Sequence, residues 1–137
     1  MTTVATALRS LGIKEWVLRG EPTNETEFKS MFRKVTEIDS SGSAIESSDP
    51  KDFGTTWKAV SDKKKALEDA EPMRLLRLER NKRLIQTDWM ASSDLTLASN
   101  WKTYRQQLRD LPSSASPKLS SDGSLDMSSV TFPTKPS

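Results

Sequence analysis

The side chains of this sequence that could carry out acid–base chemistry are carboxylates, lysines and the single tyrosine, because the chain contains no histidine and no cysteine. Histidine is the usual general acid or base near neutral pH, and cysteine is a common nucleophile and zinc ligand. Examples of paired carboxylates are Glu25 with Glu27 and Glu68 with Asp69, and the N-terminal dipole of a predicted helix explains the first pair. The sequence also lacks a glycine-rich phosphate-binding loop. We therefore predict no catalytic activity, no metal and no organic cofactor.

A basic run at residues 74–83 raises the question of nucleic-acid binding. Its basic residues are Arg74, Arg77, Arg80, Lys82 and Arg83, and arginines at helical spacing can follow phosphates. Residues 73–90 nevertheless carry only five basic and two acidic side chains, and the whole chain has a net charge of +2. The leucines between the arginines are typical of an ordinary amphipathic helix with a polar outer side. We therefore expect no specific nucleic-acid partner, and nucleic-acid binding is kept as an alternative.

Large aromatic side chains surround a predicted loop between two helices. Trp89 follows Thr87 and Asp88 at the end of one helix, and Trp101 and Tyr104 lie at the start of the next. A helical hairpin cannot easily bury so much aromatic area, so part of it is expected to contact a partner. The alternative is that these side chains hold the hairpin together, which suits Trp101 and Leu108 better than Trp89.

The elements that position these residues begin with a predicted small α+β module at residues 1–54. Helical spacing and capping residues predict short helices, alternation predicts strands, and a serine- and glycine-rich turn predicts a hairpin. In chain order the predicted helix, strand, helix and two hairpin strands cover residues 2–12, 13–19, 23–32, 33–39 and 44–47. The prediction is a two- or three-stranded antiparallel sheet with short helices.

Residues 55–112 show helical periodicity and form a predicted helical segment. We predict three helices, at residues 56–70, 72–87 and 97–110, because proline is tolerated at the first position of a helix but not in its interior. The predicted apolar face of the second helix consists of Leu75, Leu76, Leu78, Leu84 and Ile85. The predicted stripe of the third consists of Leu97, Trp101, Tyr104, Leu108 and Leu111, and Pro112 is expected to end that helix.

Residues 113–137 are rich in serine and proline and are predicted to be an extended tail that forms no core. Asp122 and Gly123 are interpreted as a turn and not as a calcium loop, since the segment lacks the spaced ligands and closing glutamate of such a loop.

Only 34% of the chain is hydrophobic, so part of the chain is expected to lack a core of its own and to pack against a partner surface. Its start lacks the pattern of a signal peptide, and no stretch approaches about 18 apolar residues. We expect synthesis in the cytosol and no membrane partner.

The second half of the chain contains an ordered series of short motifs. Residues 80–89 give an arginine-rich helix that ends in T-D-W, a loop with Asp94 follows, and residues 101–112 read W-K-T-Y-R-Q-Q-L-R-D-L-P. This series resembles the tail assembly chaperone-like domain of tailed bacteriophages, and Phe132 and Pro133 match the element that closes that domain. The resemblance covers about residues 72–136. More weakly, residues 12–25 look like the leading segment of small tail-fibre-associated proteins of marine phages, including those of cyanobacteria.

This resemblance implies a non-enzymatic phage virion protein of the tail or tail fibre, made in the host cytoplasm, that binds other tail or fibre chains as a structural or adaptor component. The alternatives are a transient tail or tail-fibre assembly chaperone and a nucleic-acid-binding protein. The serine-rich insert at residues 113–129 departs from the family pattern and favours a component that stays in the virion tail. Self-association in a symmetric assembly is a further expectation.

The predicted partner surface combines the helical hairpin with the tail. Trp89 and Tyr104 are expected to act as aromatic anchors, and Arg105 and Arg109 to contact the rim or a carboxylate. Phe132 and Pro133 are expected to dock as the tail becomes ordered. The complete predicted partner-binding set is Trp89, Asp94, Trp101, Tyr104, Arg105, Leu108, Arg109, Phe132 and Pro133.

Overall fold

A computed structural model describes residues 2–92 and 95–137 of the chain. It divides into two compact units, Met1–Asp69 and Ala70–Ser137, which we call the N-terminal and C-terminal units. In chain order the helices and strands are α1 (Val4–Ser10), β1 (Trp16–Leu18), α2 (Glu25–Met31), β2 (Phe32–Ile38), β3 (Ala44–Ser47), α3 (Trp57–Ile85) and α4 (Ser99–Ser114). Short 3₁₀ turns occur at Pro50–Asp52, Asp88–Ala91 and Met127–Ser129. The predicted α+β class is confirmed.

The N-terminal unit contains a three-stranded antiparallel sheet in the order β1-β2-β3, as the sequence predicts. Asn24 caps α2, because its side chain accepts a hydrogen bond from the backbone N–H of Glu27. Glu27 in turn accepts hydrogen bonds from the backbone N–H and the hydroxyl of Thr23, the residue before the cap. These bonds from Thr23 hold the pKa of Glu27 below its usual range.

An aromatic cluster forms the core of this unit. Phe32 lies at its centre, with ring centroids 5.0 Å from Phe28 and 4.7 Å from Phe53. The buried members are Val4, Ala7, Leu8, Phe28, Phe32, Phe53 and Val60. Trp16 and Trp57 pack against this cluster from partly buried positions, so two of the four tryptophans serve the core of the N-terminal unit.

Helix α3 is continuous through Pro72, so the prediction of two separate helices around this proline was wrong. Proline at this position lacks the N–H that would bond the carbonyl of Glu68, and an interior proline costs a helix about 3 kcal/mol. Ion pairs one turn apart support the helix on both sides, between Lys64 and Glu68 and between Arg74 and Glu71. The local pattern therefore predicts the helical residues correctly and the interruption incorrectly.

Replacing Pro72 with alanine is expected to raise the free energy of unfolding by about 1–3 kcal/mol, because the new N–H can bond Glu68 and alanine favours the helix interior. Chemical denaturation followed by circular dichroism measures the change. Pro117→Ala, outside any helix, is the control and should change stability by less than about 1 kcal/mol. An unchanged or lower stability for Pro72→Ala would instead place Pro72 at the first turn of a separate helix, where proline is favourable.

Helix α4 continues past Pro112 to Ser114, four residues beyond its predicted end. Pro112 lies in the last turn, where its missing N–H removes one bond and its ring fits a helix that is already ending. The stripe predicted for this helix is confirmed in part: Tyr104, Leu108 and Leu111 are buried together on one side, whereas Trp101 is half-buried and Leu97 precedes the helix.

The tail is not a segment without a core, and the structure corrects that prediction. Val130 is buried with Leu76 and Leu111, and Leu125 and Phe132 pack against the same cluster. The physical reason is that isolated apolar residues of the tail meet apolar residues of α3 and α4, which sequence spacing alone does not reveal.

The serine-rich insert folds back on itself through the predicted turn at Asp122 and Gly123. Gly123 has a φ of +84°, and the backbone N–H of Ser120 bonds the carbonyl of Ser124 at 2.7 Å. The bridge between Leu119 and Leu125 closes this loop. Hydrogen bonds from the side chain and backbone N–H of Ser128 to the Asp126 carboxylate lower the pKa of Asp126 and hold the next turn.

Candidate protein-binding site

Arg105 projects from α4, is only 7% exposed, and donates hydrogen bonds to three residues at and after the end of α3. One nitrogen, Nη1, donates to the carbonyl of Leu84 at 3.0 Å and to Oγ1 of Thr87 at 2.5 Å. The other, Nη2, donates to Oδ1 of Asp88 at 2.9 Å. Arg105 thereby joins α4 to the end of α3 and to the turn that follows it.

The position of this guanidinium has an electrostatic reason. Carbonyl groups in the last turn of a helix lack internal partners and carry partial negative charge, so a cation is favourable there. The Leu84 carbonyl also accepts bonds from the backbone N–H and the hydroxyl of Thr87, both at 3.0 Å. Thr87 is itself buried, and this polar cluster determines where the chain turns after α3.

Tyr104 and Arg105, which are predicted from the sequence to lie on a partner surface, are both buried in the structure. Tyr104 is 3% exposed and packs edge-on against Trp101, with ring centroids 5.9 Å apart. Leu108 is fully buried on the same side of α4. These side chains face inward because the apolar stripe of α4 is the side that this unit buries. They therefore stabilise the site as buried side chains and do not form its outer surface.

Trp89 projects outward, as its proposed role as an anchor requires. Its side chain is 63% exposed, and its Nε1 donates to the carbonyl of Gln86 at 3.1 Å. Because Asp88 is bonded to Arg105, the turn that carries Trp89 is fixed on one side by a buried group. The indole is therefore presented from an ordered turn.

The remaining predicted site residues differ in their placement. Arg109 is exposed, and its backbone carbonyl accepts a hydrogen bond from Nη1 of Arg80 at 3.3 Å. Phe132 is half-buried, and the guanidinium of Arg83 lies 4.0 Å from its ring centroid, which is a cation–π contact. Pro133 adjoins it in an open cleft of about 330 Å³ between α4 and the tail. Asp94 lies outside the described residues.

Residues 73–137 match the model of a family described as phage tail assembly chaperone protein. This match supports the resemblance of the segment to a phage tail assembly chaperone domain. The match covers just under half of the chain and includes α4, the tail and most of the C-terminal unit. No curated protein and no solved structure matches the chain. The match supports a role connected with the phage tail.

Several residues of the motif that carries this resemblance contact one another in the structure. Thr87 and Asp88 are the T and D of T-D-W, Arg105 is the R of W-x-x-Y-R, and the Arg105 guanidinium donates hydrogen bonds to both of them. Asp88 is partly exposed, and Trp89, the third letter of T-D-W, is 63% exposed. In this chain the motif thus combines a polar connection through the buried Arg105 with an exposed aromatic side chain.

Sequence reasoning missed part of the exposed surface of the chaperone-like domain. Leu78 and Ile85 are predicted to lie on the apolar face of a helix, yet they are 53% and 68% exposed. The side that α3 buries here carries Leu76, which is fully buried, so Leu78 lies outside it. The sequence could have indicated this exposure, because leucines at positions 75, 76 and 78 extend around more of the helix than one buried face covers.

Across residues 2–92 and 95–137, no group of three or more carboxylate, histidine or cysteine side chains is placed to hold a metal ion. No helix within the same residues is long and apolar enough to cross a membrane.

Proposed function

We propose that this protein is a non-enzymatic assembly chaperone of a phage tail, which binds a tail protein through its C-terminal unit. From the sequence, a stable tail or fibre component is the first prediction and the chaperone is the alternative. The description of the matching family favours the chaperone. A chaperone covers apolar surface of its client during assembly and then leaves, so it needs apolar side chains of its own that water can reach.

The observation that carries the proposal is the exposure of Ile85 and Trp89 in the matched domain. Large apolar side chains that stay in solvent on a small unit commonly mark a protein-binding site. Both lie beside the turn that Arg105 fixes, so little conformational entropy would be lost when a client binds them. Trp89 is the predicted anchor, since tryptophan is enriched among residues that dominate binding energy.

Deleting the gene from the phage is expected to give heads without complete tails, and supplying the protein from a plasmid should restore them. The Trp89→Ala variant should fail to restore tails, because truncating an aromatic anchor costs about 2 kcal/mol or roughly thirtyfold in affinity. Ile38→Ala is the matched control, since Ile38 is an exposed apolar residue of the N-terminal unit. Electron microscopy of lysates and plaque counts measure the outcome.

Mass spectrometry of purified virions separates the chaperone from a structural component. A transient chaperone should be absent or far below one copy per particle, whereas a structural component should be present in a fixed number of copies. A stoichiometric amount in mature tails would contradict the chaperone proposal. Normal tails in the deletion strain would contradict both alternatives.

A further inference from the structure

An open groove lies between α3 and the tail within the C-terminal unit. It has a volume of about 270 Å³ and is lined by Leu75, Leu78, Glu79, Lys82, Leu125 and Met127. We call it the α3–tail groove. Leu78 and Met127 are exposed, and Leu75 and Leu125 are half-buried, so its floor is apolar and accessible to solvent.

The apolar surface continues beyond the groove along α3. Ile85 follows Leu78 by seven residues, which is close to two helical turns, so both project from the same side about 10 Å apart. Lys82 lies between them on that side. A partner helix with apolar side chains two turns apart could contact both positions at once.

The charged side chains that line the groove are Glu79 and Lys82. Glu79 is paired with Arg83 at 3.0 Å. Asp126, between two lining residues of the tail, accepts hydrogen bonds from Ser128. Lys82 is exposed and has no ion-pair partner among the residues that the structure describes. An apolar floor beside such a cation complements a segment that is apolar on one side and acidic beside it.

We propose that the α3–tail groove binds an acidic amphipathic helix of another phage tail protein. The apolar side chains of that helix occupy the groove and cover Leu78 and Ile85, and a carboxylate beside them pairs with Lys82. This inference rests on the proposed function and specifies the chemistry of the client. A second copy of this chain is a poorer occupant, because a symmetric pairing of the groove would bring Lys82 close to its own counterpart.

The test uses the full-length chain and each tail protein of the phage, produced separately and titrated by fluorescence anisotropy. For the tail protein that binds, Lys82→Glu should weaken affinity at least tenfold at about 50 mM salt and much less at about 1 M, where the Debye length falls to about 3 Å. Leu78→Gln should weaken affinity at least tenfold at both salt concentrations, because apolar contacts are not screened. A glutamate-to-lysine change in the bound acidic helix should restore binding to Lys82→Glu.

Lys102→Glu and Ile38→Gln are the matched controls, since both residues are exposed and neither lines the groove. They should leave the affinity within twofold, and every variant is first checked for the parent's melting temperature. If a tail protein binds but Lys82→Glu and Leu78→Gln leave its affinity unchanged, the groove proposal fails and the proposed function stands. If no tail protein binds, both fail. Binding of duplex DNA that is tighter than binding of any tail protein, and that Lys82→Glu abolishes, would assign the groove to nucleic acid instead.

Discussion

Replacing Arg105 with alanine is expected to lower the free energy of unfolding of the C-terminal unit by about 2–4 kcal/mol. The variant loses two hydrogen bonds from Nη1, to Leu84 and Thr87, and the ion pair with Asp88. It also leaves a buried space where the guanidinium lay. For a unit of this size the melting temperature should fall by roughly 10 °C or more. Differential scanning calorimetry and chemical denaturation measure the change.

Two control variants, Arg105→Lys and Arg109→Ala, separate the effect of the buried hydrogen bonds from that of losing a positive charge on α4. Arg105→Lys keeps the charge but cannot present two nitrogens in a fixed fork, so it should recover only part of the lost stability. Arg109→Ala removes an exposed side chain one turn along the same helix and should cost less than about 0.5 kcal/mol. A similar stability for Arg105→Ala and Arg109→Ala would show that the buried network contributes little.

The Arg105→Ala variant is also expected to weaken binding. Because Asp88 and Thr87 adjoin Trp89, loss of Arg105 should also release the turn that presents the indole. Binding of the client should then weaken in Arg105→Ala at temperatures where the unit is still folded. Arg109→Ala should retain stability, so any loss of binding in that variant reports a direct contact with the client.

A chain that ends at Ser116 is expected to lose the cooperative folding of the C-terminal unit. The truncation removes Val130, Leu125 and Phe132 from their contacts with Leu76 and Leu111. Burying one such side chain contributes about 1.5–3 kcal/mol, so the loss is on the order of 4 kcal/mol after allowing for two that are half-buried. A domain of about 70 residues rarely has more than about 3–5 kcal/mol to lose.

Hydrogen exchange measures this effect separately in each unit. Amides of α4 should lose protection in the chain that ends at Ser116, whereas amides of β2 should keep it, because the core of the N-terminal unit contains no residue beyond Val60 among its buried members. A chain that ends at Pro133 keeps the core contacts of Phe132 and is the control. Equal protection of α4 in both truncated chains would show that the tail is not part of this core.

Local patterns in the sequence determined the fold class, the small sheet, the helical stripe of α4 and the turn at Gly123. Each of these depends on residues a few positions apart, through alternation, helical spacing, caps and a glycine at positive φ. The absence of histidine and cysteine likewise led, without a structure, to the prediction that this protein is not an enzyme. The family motif was also readable, because its order and spacing lie in one short segment.

Only the tertiary structure decided which sides of these elements are buried. Arg105 is internal because its acceptors, Leu84 and Thr87, lie 21 and 18 residues away, and nothing near Arg105 in the sequence announces them. Val130 is buried because Leu76 and Leu111 meet it from distant positions. Leu78 and Ile85 are exposed because the side of α3 that packs into the core of the C-terminal unit is the side that carries Leu76. Burial depends on long-range contacts, which are set by packing and not by local spacing.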